Sequence, residues 1–559
     1  MEAYFQYQKV RRAVHQHLAE LREDCSCQSH IVGGYHETTC RMSNRHIRPE
    51  EQLSEKRTVT DHLILVGWDG PDDPLNPANE STGRRIFMTM LVSLIALAVT
   101  AASAIDACGV KEYSEYFQVS EVVGSLATGM APFCFLLFFP PLGHKKSFLL
   151  TLMFSKGLFL IGFAFGSLLS GPFSETFGRN AIYLTTMALY LLFIMASGLA
   201  PNLQSHLVFR FIAGFFASTP LSCAGGTVAD LWDPVEKTFA FPAYAIPAFA
   251  GPMIGQIMGS YIPVTLGWRW LEWLMLILGG AVLAIVLLFQ PETYGNLILS
   301  WKASVLRKET GDERYRSPLE MKRESLGQRL KISMYRPFAM FYSELIIILV
   351  SLYLTVIYIV LFTFLEGYAY IFGETYGISE GLTSLCWAGM LVGIVLVGFI
   401  VPVVYSLTAK AQSRDNSTGF APEMRLWYTM LGGAPAVPIS LFWMGWTSNP
   451  AISIWSPLIA SVLFGFGITT IFIVSYMYLI DSYDTYSASA LGFLVFTRYV
   501  VAGGVTVAGS PIYRSLGVQH TLTILGSISG VLALVPYALY FYGPRIRKSS
   551  KYAVYSNSQ

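Results

Sequence analysis

The chain has 559 residues, of which 53% are hydrophobic and only 13% are charged, and its formal net charge is +2. Soluble proteins usually carry about 25% charged residues, so this composition argues against a large water-soluble enzyme and against a disordered protein. The near-neutral net charge also argues against a nucleic-acid-binding surface. A membrane protein with many spans is the class that remains.

Residues 1–85 are polar and show little hydrophobic periodicity, which predicts a largely disordered N-terminal tail. The first ten residues contain neither an apolar core nor a small-residue cleavage site, so we expect no signal peptide.

Apolar runs of membrane-spanning length follow this tail. A helix that crosses a bilayer needs about 20 mainly apolar residues. Residues 86–290 and 338–543 each contain six such runs, separated by a charged segment at 291–337. The sequence therefore predicts an all-α integral membrane protein with twelve transmembrane helices. The runs lie near 86–107, between 120 and 171, and near 181–200, 207–228, 240–262, 270–290, 338–364, 385–408, 426–446, 455–480, 488–509 and 521–542.

The distribution of lysine and arginine predicts the orientation in the membrane. Eleven of these residues lie in the first 85, ten in 291–337, three in 409–425 and four after Gly543. The alternate loops are nearly devoid of them. We therefore expect both termini, the central segment 291–337 and the tail 544–559 to be cytoplasmic.

The second span contains an unusual segment at about 130–157. It carries Pro140-Pro141 and Lys145-Lys146, and joining Gly129 directly to Leu158 would produce one continuous apolar run. One hypothesis is an insertion of translated intron sequence. A genuine insertion, or a re-entrant or interfacial hairpin, is the alternative. A genuine insertion would start the helix near Leu149 and place Lys156 deep within it.

A glycine-rich turn between the second and third spans contains Gly171, Glu175, Gly178 and Arg179. Glycine permits a tight turn, and the two charged residues can pair or cap neighbouring helix ends, as a conformational latch. The pattern resembles the loop signature of the major facilitator superfamily, with Asn180 in place of the second basic residue. An ordinary glycine-rich turn is the alternative.

Two further motifs lie in the fourth and fifth spans. Arg210–Gly214 resembles an R-x-x-x-G pattern of the same superfamily. Gly251, Pro252, Gly255 and Gly259 resemble the antiporter signature of drug:proton exchangers. Glycines at four-residue spacing allow close helix packing, and proline allows a kink, so this segment is a candidate hinge.

Additional strings resemble the fungal twelve-span drug:proton antiporters, especially the branch of polyamine and multidrug exporters. They include Gly67–Pro74, Gly267–Trp270, Pro291–Tyr294 and Tyr478–Tyr483. The resemblance extends from about Gly67 to Tyr552. It implies two pseudo-symmetric six-helix bundles that rock about a central cavity.

Charged residues inside the predicted spans are the candidates for proton coupling, because such residues are costly in a bilayer. They are Asp106, Arg210, Glu344, Glu366 and Arg498. We expect Arg210 to couple charge or to form a structural ion pair. Glu366 either acts in coupling or lies in contact with water at the outer rim, and Asp106 is either a cargo contact or, the favoured interpretation, an exposed loop residue.

Two further acidic residues, Asp230 and Asp481, are expected to be solvated caps at cytoplasmic helix ends. Aromatic and cationic residues in the C-terminal half are candidates for the cavity lining, with a membrane-interface belt as the alternative for the aromatic ones. They are Tyr358, Phe362, Tyr368, Tyr476, Tyr478 and Arg498.

These features together predict a proton-coupled antiporter that exports small amphipathic or cationic molecules, such as drugs, polyamines or a secondary metabolite. The alternatives are an importer or facilitator of the same superfamily and a membrane sensor that does not transport. No catalytic motif, P-loop or metal-ligand pattern is present, so we expect no enzyme activity, cofactor, metal or ATP drive. Protons, cargo and lipid are the expected partners of a monomer in the plasma membrane or the vacuolar membrane.

Overall fold

The computed structural model describes residues 1–26, 63–109, 112, 116, 158–321, 326–414, 421–483, 486–548 and 550–553. The insertion predicted at about 130–157 lies outside these residues.

The described part of the N-terminal half is helical. A 3-10 turn at Pro77–Asn79 precedes the second helix, and another at Asp106–Gly109 follows it. The helices are α1 (Glu2–Ser26), α2 (Thr82–Ile105), α3 (Leu158–Phe177), α4 (Arg179–Gly198), α5 (Leu203–Ala217), α6 (Thr219–Leu231), α7 (Lys237–Gly259), α8 (Ile262–Leu266) and α9 (Arg269–Phe289).

The central segment and the C-terminal half continue the helical pattern. Two short strands, β1 (Ile64–Leu65) and β2 (Tyr315–Arg316), pair in parallel. The helices of the central segment are α10 (Gly295–Thr310), α11 (Pro318–Met321) and α12 (Leu326–Ser343). Those that follow are α13 (Leu345–Tyr368), α14 (Glu380–Leu385), α15 (Trp387–Arg414), α16 (Ala434–Thr447), α17 (Trp455–Tyr483), α18 (Ser487–Leu532) and α19 (Val535–Lys548).

Ten of the described helical segments are long and apolar enough to cross a membrane. The helix α7 is not among them because its three prolines, its glycines and Gln256 lower its mean hydropathy, and α16 has only 14 residues after a π-helical turn at Thr429–Gly433. Both nevertheless pack as bundle helices, α7 along α2 and α16 against α17 and α18. Helix α18 departs from helical geometry at Gly517 (φ +73°), which divides it into two spans. With α7 and α16, the described residues therefore contain the twelve predicted spans, six on each side of α10–α12.

Both ends of the described chain lie at one end of the bundle, which we call the inner end. Helix α1 packs on α10. The carboxylate of Glu344, between α12 and α13, accepts hydrogen bonds from the backbone amides of Lys551 (3.0 Å) and Tyr552 (3.2 Å). The prediction that Glu344 lies within a span is therefore wrong, because it anchors the C-terminal tail at the helix boundary.

The N-terminal segment differs from the disordered tail that the sequence predicts. In the first 26 residues, Val10 and Val14 lie one helical turn apart and are buried, Val10 with Ile298 and Val14 with Ala303 and its neighbours on α10. The later string Gly67–Pro74 also folds onto α10, because Lys302 donates hydrogen bonds to the carbonyl of Gly67 (3.2 Å) and the carboxylate of Asp69 (2.7 Å). The apolar partners are nearly 300 residues distant, so local periodicity did not predict the packing.

The central segment is held at the inner end by ion pairs as well. Arg307 near the end of α10 donates two hydrogen bonds to the carboxylate of Glu320 on α11, at 2.9 and 2.8 Å. These hydrogen bonds hold the pKa of Glu320 below its usual range. The segment predicted as a loop at 291–337 is thus largely helical in its described residues.

The docking of α1 is testable. Val10→Asp is expected to release α1 from α10, because burying an unpaired carboxylate costs several kcal/mol. Hydrogen exchange of the α1 amides in the purified full-length protein would measure this release as faster exchange than in the wild type. His17→Asp on the exposed face of the same helix is the matched control. Equal exchange in both variants would show that Val10 does not hold the helix.

Candidate functional site

A buried cluster of charges connects three helices of the N-terminal half. Arg210 of α5 forms an ion pair with Asp106 at the end of α2, and its second terminal nitrogen lies 3.4 Å from the carboxylate of Glu272, in the first turn of α9. Arg210 also donates a hydrogen bond to the carbonyl of Ala102 (3.0 Å). Arg210 and Asp106 are 0% exposed and Glu272 is 1% exposed. The cluster therefore holds one cation and two carboxylates out of contact with solvent.

Two further polar groups extend this cluster. The hydroxyl of Ser197 donates a hydrogen bond to Glu272 (3.1 Å) and lies 2.9 Å from Nδ1 of His206. Ligand atoms of Asp106, His206 and Glu272 lie within 4.8 Å of one another, which is a spacing that a metal ion could use. Arg210 already pairs with both carboxylates, so one of their two formal negative charges is balanced without a metal.

A second site surrounds Arg498, at the middle of the membrane-spanning part of α18. Four aromatic rings surround its guanidinium, whose carbon lies 4.6 Å from the ring centre of Tyr358, 4.9 Å from Tyr499, and 5.0 Å from both Phe472 and Tyr476. These rings belong to α13, α17 and α18. We call these four rings the aromatic cage.

The aromatic cage also contacts the N-terminal half. The ring centre of Phe163 on α3 lies 4.8 Å from that of Tyr499, and the ring centre of Phe249 on α7 lies 4.5 Å from that of Phe472. The cage therefore lies where the two bundles meet.

An arginine–aspartate ion pair lies at the inner end of each bundle. In the first, Nε of Arg179, at the start of α4, lies 3.1 Å from the carboxylate of Asp230 at the end of α6. In the second, Nε of Arg425 lies 2.8 Å from the carboxylate of Asp481 at the end of α17. Arg425 also donates hydrogen bonds to the side chain of Thr238 and to the carbonyl of Pro234. These last contacts cross from one half to the other, so the inner ends are joined.

The turn before Arg179 is closed by a residue far along the chain. Glu292 accepts hydrogen bonds from the backbone amides of Arg179 (2.9 Å) and Asn180 (3.2 Å), and so satisfies the first turn of α4. Gly178 has φ +95°, and a Cβ there would meet Glu292. Glycine is thus required at this position by both conformation and space. The carboxamide of Gln6 donates a hydrogen bond to the carbonyl of Glu292 (3.0 Å), which brings α1 to the same turn.

The glycines of α7 face α2 at close range. A Cβ on Gly251 would lie 2.7 Å from the carbonyl oxygen of Leu97, and one on Gly259 would lie 2.7 Å from Cγ1 of Ile105. Gly255 meets the backbone of Ala101 in the same way. The helix continues through Pro252. The structure therefore shows the close helix packing that the glycine spacing predicts, and the hinge stays a prediction.

The family model of the Major Facilitator Superfamily matches residues 122–507. The chain belongs to this superfamily. The transporter kojT of Aspergillus oryzae is 44% identical over 510 residues, which cover 90% of this chain and 85% of that protein. The ascochitine biosynthesis cluster transporter of Didymella fabae is 32% identical over 495 residues, which cover 88% of this chain and 89% of that protein.

Solved structures of the superfamily have the same fold. The proton:xylose symporter XylE superimposes with a TM-score of 0.56 at 16% identity, covering 82% of this chain and 97% of that one. The human organic anion transporter MFSD10 gives a TM-score of 0.52 at 15% identity, covering 82% of this chain and all of that one. At such identities the likeness shows the fold alone. The predicted all-α fold and the major facilitator resemblance are confirmed, and the chain is a membrane transporter of small solutes rather than an enzyme.

Several of the residues predicted from the sequence lie elsewhere in this major facilitator protein. Asp106 is not an exposed loop residue, because the 3-10 turn after α2 carries it inward to Arg210. Asp230 and Asp481 are not solvated caps, since each pairs with an arginine. The structure pairs Arg179 with Asp230. Glu175, which the sequence predicts to pair with Arg179 or to cap a helix end, is half-buried on the last turn of α3.

The predicted cavity residues divide into two groups. Tyr358 and Tyr476 belong to the aromatic cage that surrounds Arg498. The ring centre of Phe362 lies 6.0 Å from that of Tyr358. Tyr368 instead stacks on Trp387 (3.7 Å) and shares a hydrogen bond with Ser461 inside the C-terminal bundle. Tyr478 places its hydroxyl beside Gly543 at the inner end. These two tyrosines point away from the cage because they lie on other faces of their helices.

The remaining predicted residues have simpler positions. Glu366 is half-buried on α13, where it packs against Gly509 of α18, outside the charged cluster of the N-terminal half. Gly171 is buried in α3 near Ala488. The sequence did not indicate that Glu272 and His206 belong to the charged cluster, or that Phe472 and Tyr499 belong to the aromatic cage. A glutamate within an otherwise apolar run was the available signal for Glu272.

Proposed function

We propose that this transporter is a proton-coupled antiporter that exports a small secondary metabolite by alternating access. The observation that carries the proposal is the buried cluster of Arg210, Asp106 and Glu272. Its formal charge is −1 when both carboxylates are ionised, so the binding of one proton makes it neutral. A buried site of this kind binds and releases a proton as its access to water changes.

The position of the cluster supports coupling to movement. Asp106 lies in the 3-10 turn that follows α2 and Glu272 lies on α9, whereas Arg210 lies on α5. Helix α2 packs along the glycine face of α7, and a shift of this pair alters the distance between Asp106 and Arg210. In this proposal, Gly251, Pro252, Gly255 and Gly259 act as the hinge. The inner-end latch comprises Gly171, Glu175, Gly178 and Arg179 with Asp230.

The relatives support a secondary metabolite as cargo. The Didymella fabae relative is described by its place in a biosynthesis cluster, and export is the use that a producing cell has for such a transporter. We propose the plasma membrane as its location, with both termini cytoplasmic, as the distribution of lysine and arginine predicts. The N-x-S and N-x-T sequons at Asn79 and Asn416 would then lie on the cytoplasmic side.

Transport in proteoliposomes tests the function. The full-length protein is reconstituted with an internal pH dye and offered salicylate, spermidine or rhodamine 6G under an imposed gradient. An antiporter accumulates its substrate when the lumen is acidic, because outward proton flow drives inward solute flow, and the dye reports the loss of luminal protons. Protein-free liposomes are the control for passive entry. Accumulation driven by an alkaline lumen would show symport instead, and equilibration without proton movement would show a facilitator.

A further inference from the structure

Arg498 differs from three other buried arginines of the described residues. Arg179, Arg210 and Arg425 each pair with a carboxylate. Arg498 is 0% exposed, yet no described residue forms an ion pair with it, and its three guanidinium nitrogens make no well-aligned hydrogen bond within the described chain. The hydroxyls of Tyr476 and Tyr499, on two rings of the aromatic cage, are the polar groups that interact with its guanidinium.

The aromatic cage explains only part of how this charge is tolerated. The faces of the four rings attract a cation through their quadrupoles, and α18 carries Arg498 about 17 Å from its first residue, Ser487, at 1.5 Å per residue. The rings supply no hydrogen-bond acceptor on their faces and no negative charge. The guanidinium keeps five donors in a planar fork, whose geometry matches the two oxygens of a carboxylate.

We propose that Arg498 binds the ionised oxygen acid of a planar organic anion, and that the aromatic cage packs against the ring of that anion. A carboxylate, or adjacent ring oxygens that share a negative charge, satisfies the fork, and the hydroxyl of Tyr476 provides a further donor. The inference rests on the proposed function, since it assigns the chemical class of the cargo. It replaces the cationic drugs and polyamines that the sequence had suggested, because a buried guanidinium repels a cationic cargo.

The location of the site fits a cargo that is exposed to each side in turn. Two rings of the cage, Tyr499 and Phe472, pack against Phe163 and Phe249 of the other bundle. Separation of the bundles at either end therefore opens a path to Arg498 while the opposite end stays closed. The carboxylates of the Arg210 cluster belong to α2 and α9, and neither pairs with Arg498.

Equilibrium binding without a proton gradient tests this inference separately from transport. Radiolabelled salicylate is bound to the purified full-length protein in nanodiscs at neutral pH and displaced by unlabelled salicylate, salicylamide or benzylamine. These three probes share a planar ring and differ in charge. We expect salicylate to displace the label at least about tenfold more effectively than the neutral amide, and benzylamine not to displace it.

Variants assign the preference to the arginine. Arg498→Met is expected to weaken salicylate binding by about tenfold or more, and Arg498→Lys to retain part of the affinity because it keeps the charge and loses the fork. The control is Arg514→Gln, an exposed arginine of the same helix, which should bind as the wild type does. Elution of each variant as a monodisperse peak confirms that it is folded. The comparison of the three probes on the wild-type protein tests the charge preference without any variant.

Two results would overturn the inference. One is wild-type protein that binds none of the anion, or binds salicylamide as tightly as salicylate. The other is a folded Arg498→Met variant with unchanged salicylate affinity. A failure of antiport is a different result, because it removes gradient-driven accumulation in the proteoliposomes and leaves the charge preference in the binding assay intact.

Discussion

Glu272→Gln is expected to uncouple transport from the proton gradient. The substitution removes one of the two carboxylates beside Arg210 and leaves the ion pair with Asp106, so the formal charge of the cluster becomes zero. No proton is then needed to neutralise it. Accumulation driven by an acidic lumen should fall by about tenfold or more, which corresponds to about 1.4 kcal/mol of lost coupling. Exchange of labelled for unlabelled solute at equal pH should continue.

The matched control for this prediction is Glu380→Gln, an exposed glutamate in the first turn of α14. It should accumulate solute as the wild type does. Arg210→Ala should abolish gradient-driven flux for a different reason, because it leaves two buried carboxylates without their cation. If Glu272→Gln accumulates solute under the gradient as well as the control does, the cluster is a structural ion pair and the proton binds elsewhere, with Glu366 the next candidate.

The sequence predicted the spans and the glycine motifs because both depend on local pattern. Apolar runs give the helices, and four-residue glycine spacing places Gly251, Gly255 and Gly259 on one face of α7. The cluster around Arg210 could not be predicted in this way. Its members come from α2, α5 and α9, and periodicity along the chain does not state which helices are neighbours.

The aromatic cage and α1 show the same limit. Arg498 stood out as a charge inside an apolar run, but the rings around it come from three helices, and Tyr368 and Tyr478 resembled cage residues equally well in sequence. Helix α1 is polar on average, and the partners of its buried valines on α10 lie nearly 300 residues later. A polar segment of that composition is typical of a disordered tail until its partner surface is known.

The proposed mechanism assigns proton binding and cargo binding to different bundles. The N-terminal bundle holds a cation balanced by two carboxylates, which can bind a proton, and the C-terminal bundle holds Arg498, which has aromatic rings around it and no carboxylate partner among the described residues. Arg425 joins the two halves at the inner end through Thr238 and Pro234. Antiport requires that the proton and the cargo are not released to the same side together, and separate sites on two bundles that move against each other meet that requirement.

Gly251→Ala in α7 is expected to destabilise the protein, although alanine favours helices. The added Cβ would lie 2.7 Å from the carbonyl oxygen of Leu97 on α2, and backbone atoms of a packed helix cannot move aside as a flexible side chain can. Overpacking of this kind costs about 1–3 kcal/mol, and because the contact is with backbone we expect the upper part of that range. Thermal unfolding of the detergent-purified protein measures the loss as a lower midpoint.

Gly280→Ala supplies the matched control, since it makes the same substitution in the apolar helix α9 with nothing within 4 Å of the new Cβ. Alanine in place of a helical glycine there should be neutral or stabilising by about 0.5–1 kcal/mol. Of the two substitutions, only Gly251→Ala is thus expected to lower the unfolding midpoint. If Gly251→Ala keeps the wild-type midpoint but loses gradient-driven accumulation, the glycine face serves movement more than packing; equal midpoints together with normal transport would show that α2 and α7 are not held as closely as the structure indicates.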